Sequence, residues 1–212
     1  IIANPNCSTI QMVVALEPLR RRVGIRRVVV ATYQSVSGAG ASAVRELERT
    51  SRDVLDGREP APGGKFVHPV AFNCLPQIDV FLDDGYTREE HKMINETRKI
   101  TGDQSIRVSA TCVRVPVMVG HAEAVNVELA GPLDLDEARR LLSSAPGVQV
   151  IDDPRASSYP LQRDCADHDP VYVGRLRRDP SRENCLDMWV VSDNLRKGAA
   201  LNAVQIGEIL YR

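Results

Sequence analysis

Two periodicities divide this chain, and the order in which they follow one another restricts the folds open to it. "IRRVVVATYQ" (Ile25 to Gln34) is rich in β-branched residues and reads as a buried strand. Before it, "STIQMVVALEPLRRRVG" reads as a helix, bent or ended near Pro18 and stopped at Gly24. After it, the small-residue turn "SVSGAGASA" feeds a helix from about Ala41 to Leu55, closed by Asp56-Gly57, and "REPAPGGK" (Arg58 to Lys65) reads as loop. A well-marked helix follows in "GYTREEHKMINETRKITG", with Thr87 as cap, Glu90 completing a capping box and Gly102 ending it. "SIRVSATCVRVPV" and "HAEAVNVELAG" read as strands. "DLDEARRLLSSAPG" is a short helix with Asp134 and Glu137 as its box. "GVQVID", "VYVGRLRRD" and "LDMWVVSD" are further strands, and "NLRKGAALNAVQIGEILYR" closes the chain as an amphipathic helix. Regular βαβ alternation is missing, so the pattern predicts an α+β sheet covered by helices on one face.

At 212 residues the chain can form one large domain or two small ones. A formal charge of −1 argues against nucleic acid or an anionic membrane as partner, and no apolar run reaches the length of a membrane span. Five cysteines, widely spaced and without a C-x-x-C pair, suit a reducing cytoplasmic setting better than a disulfide scaffold. Each has to be judged singly. The chain begins at Ile1, with hardly any lead-in to its first motif and no visible signal peptide.

That motif is "ANPNCSTIQ", which puts Cys7 at a helix start. There the helix dipole and free N–H groups lower a thiol's pKa and can hold an oxyanion; the competing reading is a buried structural cysteine. A nucleophilic cysteine needs a base, and four histidines are present: His68, His91, His121 and His168. His121 follows Gly120 at a strand start. Arg114 ends the apolar parity set Ile106, Val108, Ala110, Cys112. A guanidinium there either snorkels to water or binds a carboxylate or phosphate. Glu89, Lys92, Glu96 and Lys99 form a stripe at helical spacing, which alone reads as a solvated face of ion pairs. "GAGASA" (Gly38 to Ala43) matches a dinucleotide fingerprint formally, but no second strand with an acidic end follows at the right distance. "CADHD" (Cys165 to Asp169) could contribute to a metal site, but without a second ligand cluster it reads as solvated loop; no metal site is expected.

Taken together, "ANPNCST", "TYQSVSGAG", "VSATCVRVPVMVGHAEAVNVE", "VGRLRRDPS" and "WVVSDNLRKGAALNAVQIGE" resemble the bacterial aspartate-β-semialdehyde dehydrogenase family over nearly the whole chain and in family order. The resemblance implies NADPH-dependent reduction of L-aspartyl-4-phosphate to aspartate semialdehyde and phosphate, on the route to lysine, methionine and threonine. It implies Cys7 as thioester-forming nucleophile, Gln34 as the residue orienting the acyl group, and His121 as acid/base. Arg114 would bind the substrate α-carboxylate, Glu89 its amine, Lys92 its phosphate, with Asn6 also in the substrate site. Ser37, Gly38 and Asn194 would touch the NADP cofactor.

The implied fold is a mixed, largely antiparallel sheet like the C-terminal domain of glyceraldehyde-3-phosphate dehydrogenase. The family's N-terminal NADP-binding domain and a further phosphate-binding arginine are not represented. The chain thus resembles the catalytic and dimerisation half (residues 1–193) plus a C-terminal helix (194–212) that packs on that other domain. A homodimer or homotetramer, a small-molecule substrate and a cytoplasmic setting are implied, and the half alone is expected to be inactive. Two alternatives compete. N-acetyl-γ-glutamyl-phosphate reductase shares the chemistry but usually reads Pro-Gly-Cys where this chain has Pro-Asn-Cys. A non-catalytic dimerising module would not require Cys7, Gln34, Arg114 and His121 to stand intact.

Overall fold

The computed structural model describes residues 1–61 and 64–211. Helix α1 (Cys7–Val23) runs straight through Pro18, which forgoes one internal hydrogen bond without ending the helix. Packing carries it: Met12, Ala15 and Leu19 on one face have no exposed surface. The helix stops where expected, at Gly24, which adopts φ 77°. Strand β1 (Ile25–Gln34) leads into a 3₁₀ turn at Val36–Ala39, then α2 (Ala41–Leu55). The loop expected at 58–65 contains no helix or strand among its described residues; positions 62 and 63 lie outside them. In α3 (Arg88–Thr101) Thr87 and Glu90 form the reciprocal capping box, and Gly102 closes the helix in the left-handed region.

Strands β2 (Arg107–Arg114) and β3 (His121–Leu129) follow, then α4 (Leu135–Ser144). Asp134 caps α4, but the expected box is only half made, because the Glu137 carboxylate pairs with Arg22 of α1 at 2.7 Å. Then come β4 (Val148–Val150), a short α5 (Gln162–Cys165), β5 (Val171–Arg178) and β6 (Cys185–Ser192). A π turn at Arg196–Ala200 opens α6 (Leu201–Leu210). This last helix departs from the amphipathic expectation: it has no buried residue, and Val204, Ile209 and Leu210 stand exposed. Arg212 lies outside the described residues.

One six-stranded sheet runs β2-β1-β3-β6-β5-β4. β1 pairs β2 and β4 pairs β5 in parallel, while β1–β3, β3–β6 and β5–β6 are antiparallel, so the sheet is mixed with antiparallel pairs in the majority. Alternation sends Val28 and Val30 of β1, Val125 and Val127 of β3, and Met188 and Val190 of β6 into a core beneath α1, α3 and α4. The opposite face carries the half-buried Val29, Ala31, Tyr33, Val113 and Trp189 and the exposed Ala124. Tyr33 and Trp189 pack ring to ring there, centroids 5.3 Å apart.

This topology makes one end of the sheet chemically rich. The C-terminal ends of β1, β2 and β6 and the start of β3 meet there: Gln34 lies opposite Arg114, and His121 opposite Ser192.

Candidate active site

Asn6 caps α1: its Oδ1 accepts from the N–H groups of Ser8 and Thr9 at 3.0 and 3.2 Å. Two amides expected to serve an oxyanion are therefore already engaged. Cys7 is half-buried at the first helical position, and a Cβ placed on Gly198 of the π turn would come within 2.9 Å of its Cβ. The expectation of an acidified thiol is corrected here. Burial, and then the Glu89 carboxylate, push the Cys7 thiol up to about 12, against smaller lowering by the Ser8 N–H and Arg114. Desolvation outweighs the helix terminus, so the sulfur rests as a thiol.

Glu89 leaves the solvated stripe that helical spacing suggested. It is 6% exposed, accepts from Asn6 Nδ2 at 2.7 Å and from Gln34 Nε2 at 3.4 Å, and pairs with Lys92 Nζ at 3.3 Å. Lys92 also donates to Asp79 at 3.3 Å; burial alone would lower its pKa, but the two carboxylates hold the ammonium's pKa above its usual value. Glu96 of the same stripe turns inward as well, accepting the Asn6 backbone N–H at 2.7 Å.

Arg114 does not snorkel. It is 5% exposed and has no carboxylate partner among the described residues; Nη1 donates to the Ser35 carbonyl at 2.6 Å, and the guanidinium lies 5.8 Å from the centre of the Phe66 ring. A buried cation so placed is a site for an anion. It opens on a cavity of about 420 Å³ that Phe66, His68, Gln77 and Asp79 help to line. A larger hollow of about 720 Å³, lined by Val13, Pro18, Ile100 and Leu141, contains none of the candidate residues.

His121 is fully buried. Its Nδ1 accepts from the Ser35 N–H at 3.1 Å, which places the ring hydrogen on Nε2, and Nε2 meets no partner. Burial, with Arg114 adding to it, pulls its pKa down to about 3. In this state His121 offers a neutral N–H donor rather than a base. A Cβ on Gly38 would lie 3.1 Å from both His121 Nε2 and Arg114 Nη1, so only glycine lets the backbone approach so closely.

Ser37 and Asn194 are buried and bonded to each other, Asn194 Nδ2 donating to Ser37 Oγ at 3.0 Å. Asn194 Oδ1 also accepts from Gly120 N–H at 2.8 Å and Ser35 Oγ at 3.0 Å. Through Ser35 they tie into the hydrogen bonds around His121, and the Gly38 backbone packs against the unpartnered Nε2.

The ten candidate residues therefore share one region, Lys92 at its rim. Sequence reasoning missed Ser35, which joins Arg114, His121 and Asn194 through its own polar groups. It missed Glu96, and it missed Glu123, fully buried two residues beyond His121 with both carboxylate oxygens unpartnered. The inward parity of β3 could have revealed Glu123. "CADHD" forms a tied loop: Cys165 is buried, the Asp167 N–H donates to Asp193 and Asp169 pairs with Arg196. All five cysteines are free, and among the described residues no cluster of His, Cys, Asp and Glu is arranged to hold a metal.

A family model described as "Semialdehyde dehydrogenase, dimerisation domain" matches residues 16–197. The aspartate-semialdehyde dehydrogenase of Aquifex aeolicus is 55% identical over 212 residues, covering 100% of this chain and 62% of its own length. That of Legionella pneumophila is 58% identical over 213 residues, covering 100% of this chain and 61% of its own. Among solved structures, Vibrio cholerae aspartate semialdehyde dehydrogenase II complexed with ASA superposes with a TM-score of 0.96 at 52% identity, over 100% of this chain and 62% of that one. The Candida albicans enzyme with NADP superposes at 0.73 and 27% identity, over 100% and 57%. The chain thus spans about 62% of the length of the curated relatives it matches.

Proposed function

The chain belongs to the semialdehyde dehydrogenase dimerisation-domain family, and from that premise we propose that it is the catalytic and dimerising part of an aspartate-semialdehyde dehydrogenase. The observation that carries the reading is a pair of opposite buried charges left unjoined beside one thiol. Glu89 and Arg114 both act on Cys7, in opposite senses, and make no ion pair with each other. That arrangement suits a zwitterionic amino acid, with its ammonium on Glu89 and its α-carboxylate on Arg114.

The chemistry follows from these groups. An ammonium on Glu89 offsets the charge that helps hold the Cys7 proton, favouring thiolate when substrate is bound. The Cys7 sulfur then attacks the acyl carbon of L-aspartyl-4-phosphate, the carbon–oxygen bond to the phosphate breaks, the phosphate takes up the thiol proton and leaves past Lys92, and a thioester remains. Gln34, whose amide nitrogen donates to both Thr32 Oγ1 and Glu89 Oε1, orients the acyl group. Reduced NADP, when bound, supplies the hydride. His121 Nε2–H faces the carbonyl oxygen, hydrogen-bonds it as it gathers charge, and keeps its hydrogen as the aldehyde forms and Cys7 departs.

The remaining parts follow the same reading. Residues 1–193 form the catalytic and dimerising unit. Residues 194–212 are the segment whose exposed apolar helix α6 packs on the cofactor-binding domain. A second copy covers the sheet face bearing Tyr33, Ala124 and Trp189. No described helix is long and apolar enough to cross a membrane, and a cytoplasmic setting suits the free thiols. The test is the reverse reaction in the full-length protein, with aspartate semialdehyde, NADP⁺ and phosphate. Phosphate-dependent NADPH formation is expected, and a preference for N-acetylglutamate semialdehyde would overturn the reading.

A further inference from the structure

We infer that Glu96 is a positioning residue for Cys7, completing from the neighbouring helix the cap of the helix that carries the nucleophile. The inference rests on the reading of Cys7 as the thioester-forming residue. In an ordinary capping box the third residue of the helix returns a carboxylate to the cap's own backbone N–H. In α1 that third residue is Thr9, whose hydroxyl is buried and unpartnered. The Asn6 N–H is taken instead by Glu96 Oε2, at 2.7 Å and from 90 residues away.

Two helical turns earlier on the same face of α3, Glu89 accepts from Asn6 Nδ2 at 2.7 Å. The other two polar groups of Asn6 face its own helix. Oδ1 accepts from Ser8 and Thr9, and the carbonyl accepts from the Ile10 N–H at 3.0 Å. Every hydrogen-bonding group of the residue before Cys7 is thereby engaged, half of them by α3. Cys7 is the next residue along, so the direction of its Cα–Cβ bond is inherited from Asn6.

Glu89 and Glu96 are not equivalent. Glu89 has a second task, since the proposed mechanism turns its carboxylate toward the substrate ammonium. Glu96 is then the hold on Asn6 that substrate binding does not disturb. Its charge is not what matters: the neighbouring groups that most shift the Cys7 thiol are Glu89, the Ser8 N–H and Arg114, and Glu96 is not among them. What Glu96 supplies is one acceptor at one place, and an attack geometry loosened by a fraction of an ångström is enough to slow acyl transfer.

The experiment compares Glu96→Ala, Glu96→Gln and wild type in the full-length protein. Glutamine keeps the acceptor oxygen and removes the charge. Two readouts are needed: kcat and KM for aspartate semialdehyde, and hydrogen exchange of the amides in residues 7–10. Glu96→Ala is expected to lower kcat at least about tenfold with KM within about threefold, and to speed exchange at the first turn of α1 while the rest of the fold stays protected. Glu96→Gln is expected to restore both. Faster exchange with unchanged kcat would reduce Glu96 to a structural cap and overturn the inference. So would a glutamine variant as impaired as alanine, which would make charge the agent. Should Glu96→Ala fail to fold, the glutamine variant still decides between bond and charge. If the wild-type protein has no activity on aspartate semialdehyde, the functional reading fails, and unchanged exchange in Glu96→Ala would separately sink the clamp.

Discussion

Ser35 decides which nitrogen of His121 carries the hydrogen: its backbone N–H points at Nδ1 from 3.1 Å, leaving the hydrogen on Nε2, which is buried and meets no partner. The ring is neutral in the fold, its pKa pulled down to about 3 from the ordinary 6.5 by burial and Arg114. In the unfolded chain it titrates normally. Between those two values the unfolded state binds the extra proton, so the stability His121 contributes is complete above pH 6.5 and is lost as pH falls toward 3. Replacing His121 by Gln removes that slope. Urea unfolding should show wild type losing about 2 kcal/mol relative to the variant between pH 6.5 and pH 5. Nitrogen NMR should find the Nε2–H tautomer at pH 5, and an imidazolium at that pH would refute the assignment.

Cys7 should be a slow thiol until substrate arrives. Cys74 is exposed, whereas Cys7 is half-buried and held protonated by burial and by Glu89. Limited alkylation of the full-length protein near pH 7.5 should therefore label Cys74 first. Glu89→Gln takes away the raising charge and should accelerate Cys7 labelling several-fold while depressing turnover, a split that a general loosening of the site would not give. Mass spectrometry of the labelled peptides decides it. Cys7 labelled fastest in wild type would restore the acidified-thiol reading.

The limits of sequence reading show in these same residues. Element boundaries were legible because their signals are local: Thr87 with Glu90, Gly24 after α1, Gly102 after α3. The α+β class followed from element order. Arg114 and His121 stood out because a charge at the end of an apolar strand face and a histidine at a strand start are visible in one dimension. Desolvation is not. Cys7 keeps its favourable address at a helix start, yet neighbours from α3 and the π turn bury it. Glu89 and Glu96 read as a solvated stripe because spacing cannot say which side of a helix meets another. Pro18 was a plausible helix end, but tertiary packing of Met12, Ala15 and Leu19 overrode it.

Arg114 should tolerate no substitute. Its guanidinium donates to the Ser35 carbonyl, lies near the Phe66 ring and keeps its other N–H groups for an anion. A lysine ammonium cannot hold that geometry and bind a carboxylate bidentately. Arg114→Lys should cost on the order of 100-fold in kcat/KM for aspartate semialdehyde, the loss expected when a desolvated charge pair is broken. Steady-state kinetics on the full-length protein tests this; a change below threefold would move the carboxylate site elsewhere.

Ala124 offers a gentle probe of assembly. It is exposed at the middle of the outer sheet face, opposite Ala31 on β1 and Trp189 on β6. An arginine there has room in the monomer and none against a second sheet. Ala124→Arg should shift sedimentation toward monomer at micromolar concentration with little change in the unfolding midpoint. An unchanged dimer would place the contact on another face.

Glu123 supplies the sharpest test of the buried electrostatics. It lies on the inward face of β3, two residues from His121, opposite Thr32 on β1. Both oxygens lack hydrogen-bond partners, and burial raises its pKa well above the ordinary 4.5, with only Gln11 acting the other way. The folded protein therefore keeps this carboxyl protonated, while the unfolded chain releases the proton above pH 4.5. The folded state binds more protons across that window, so stability is present at low pH and declines as pH rises toward the folded pKa. This is the opposite sense to His121. Glu123→Gln keeps the shape and never ionises, so it should match wild type near pH 4.5 and exceed it above. The gain should grow by about 1.4 kcal/mol per pH unit until the folded carboxyl itself ionises. Urea midpoints at pH 5, 6.5 and 8 measure the divergence. Parallel curves for the two proteins would mean that Glu123 is already ionised in the fold, held by a partner such as bound water, and that the polar layer behind Cys7 carries a charge.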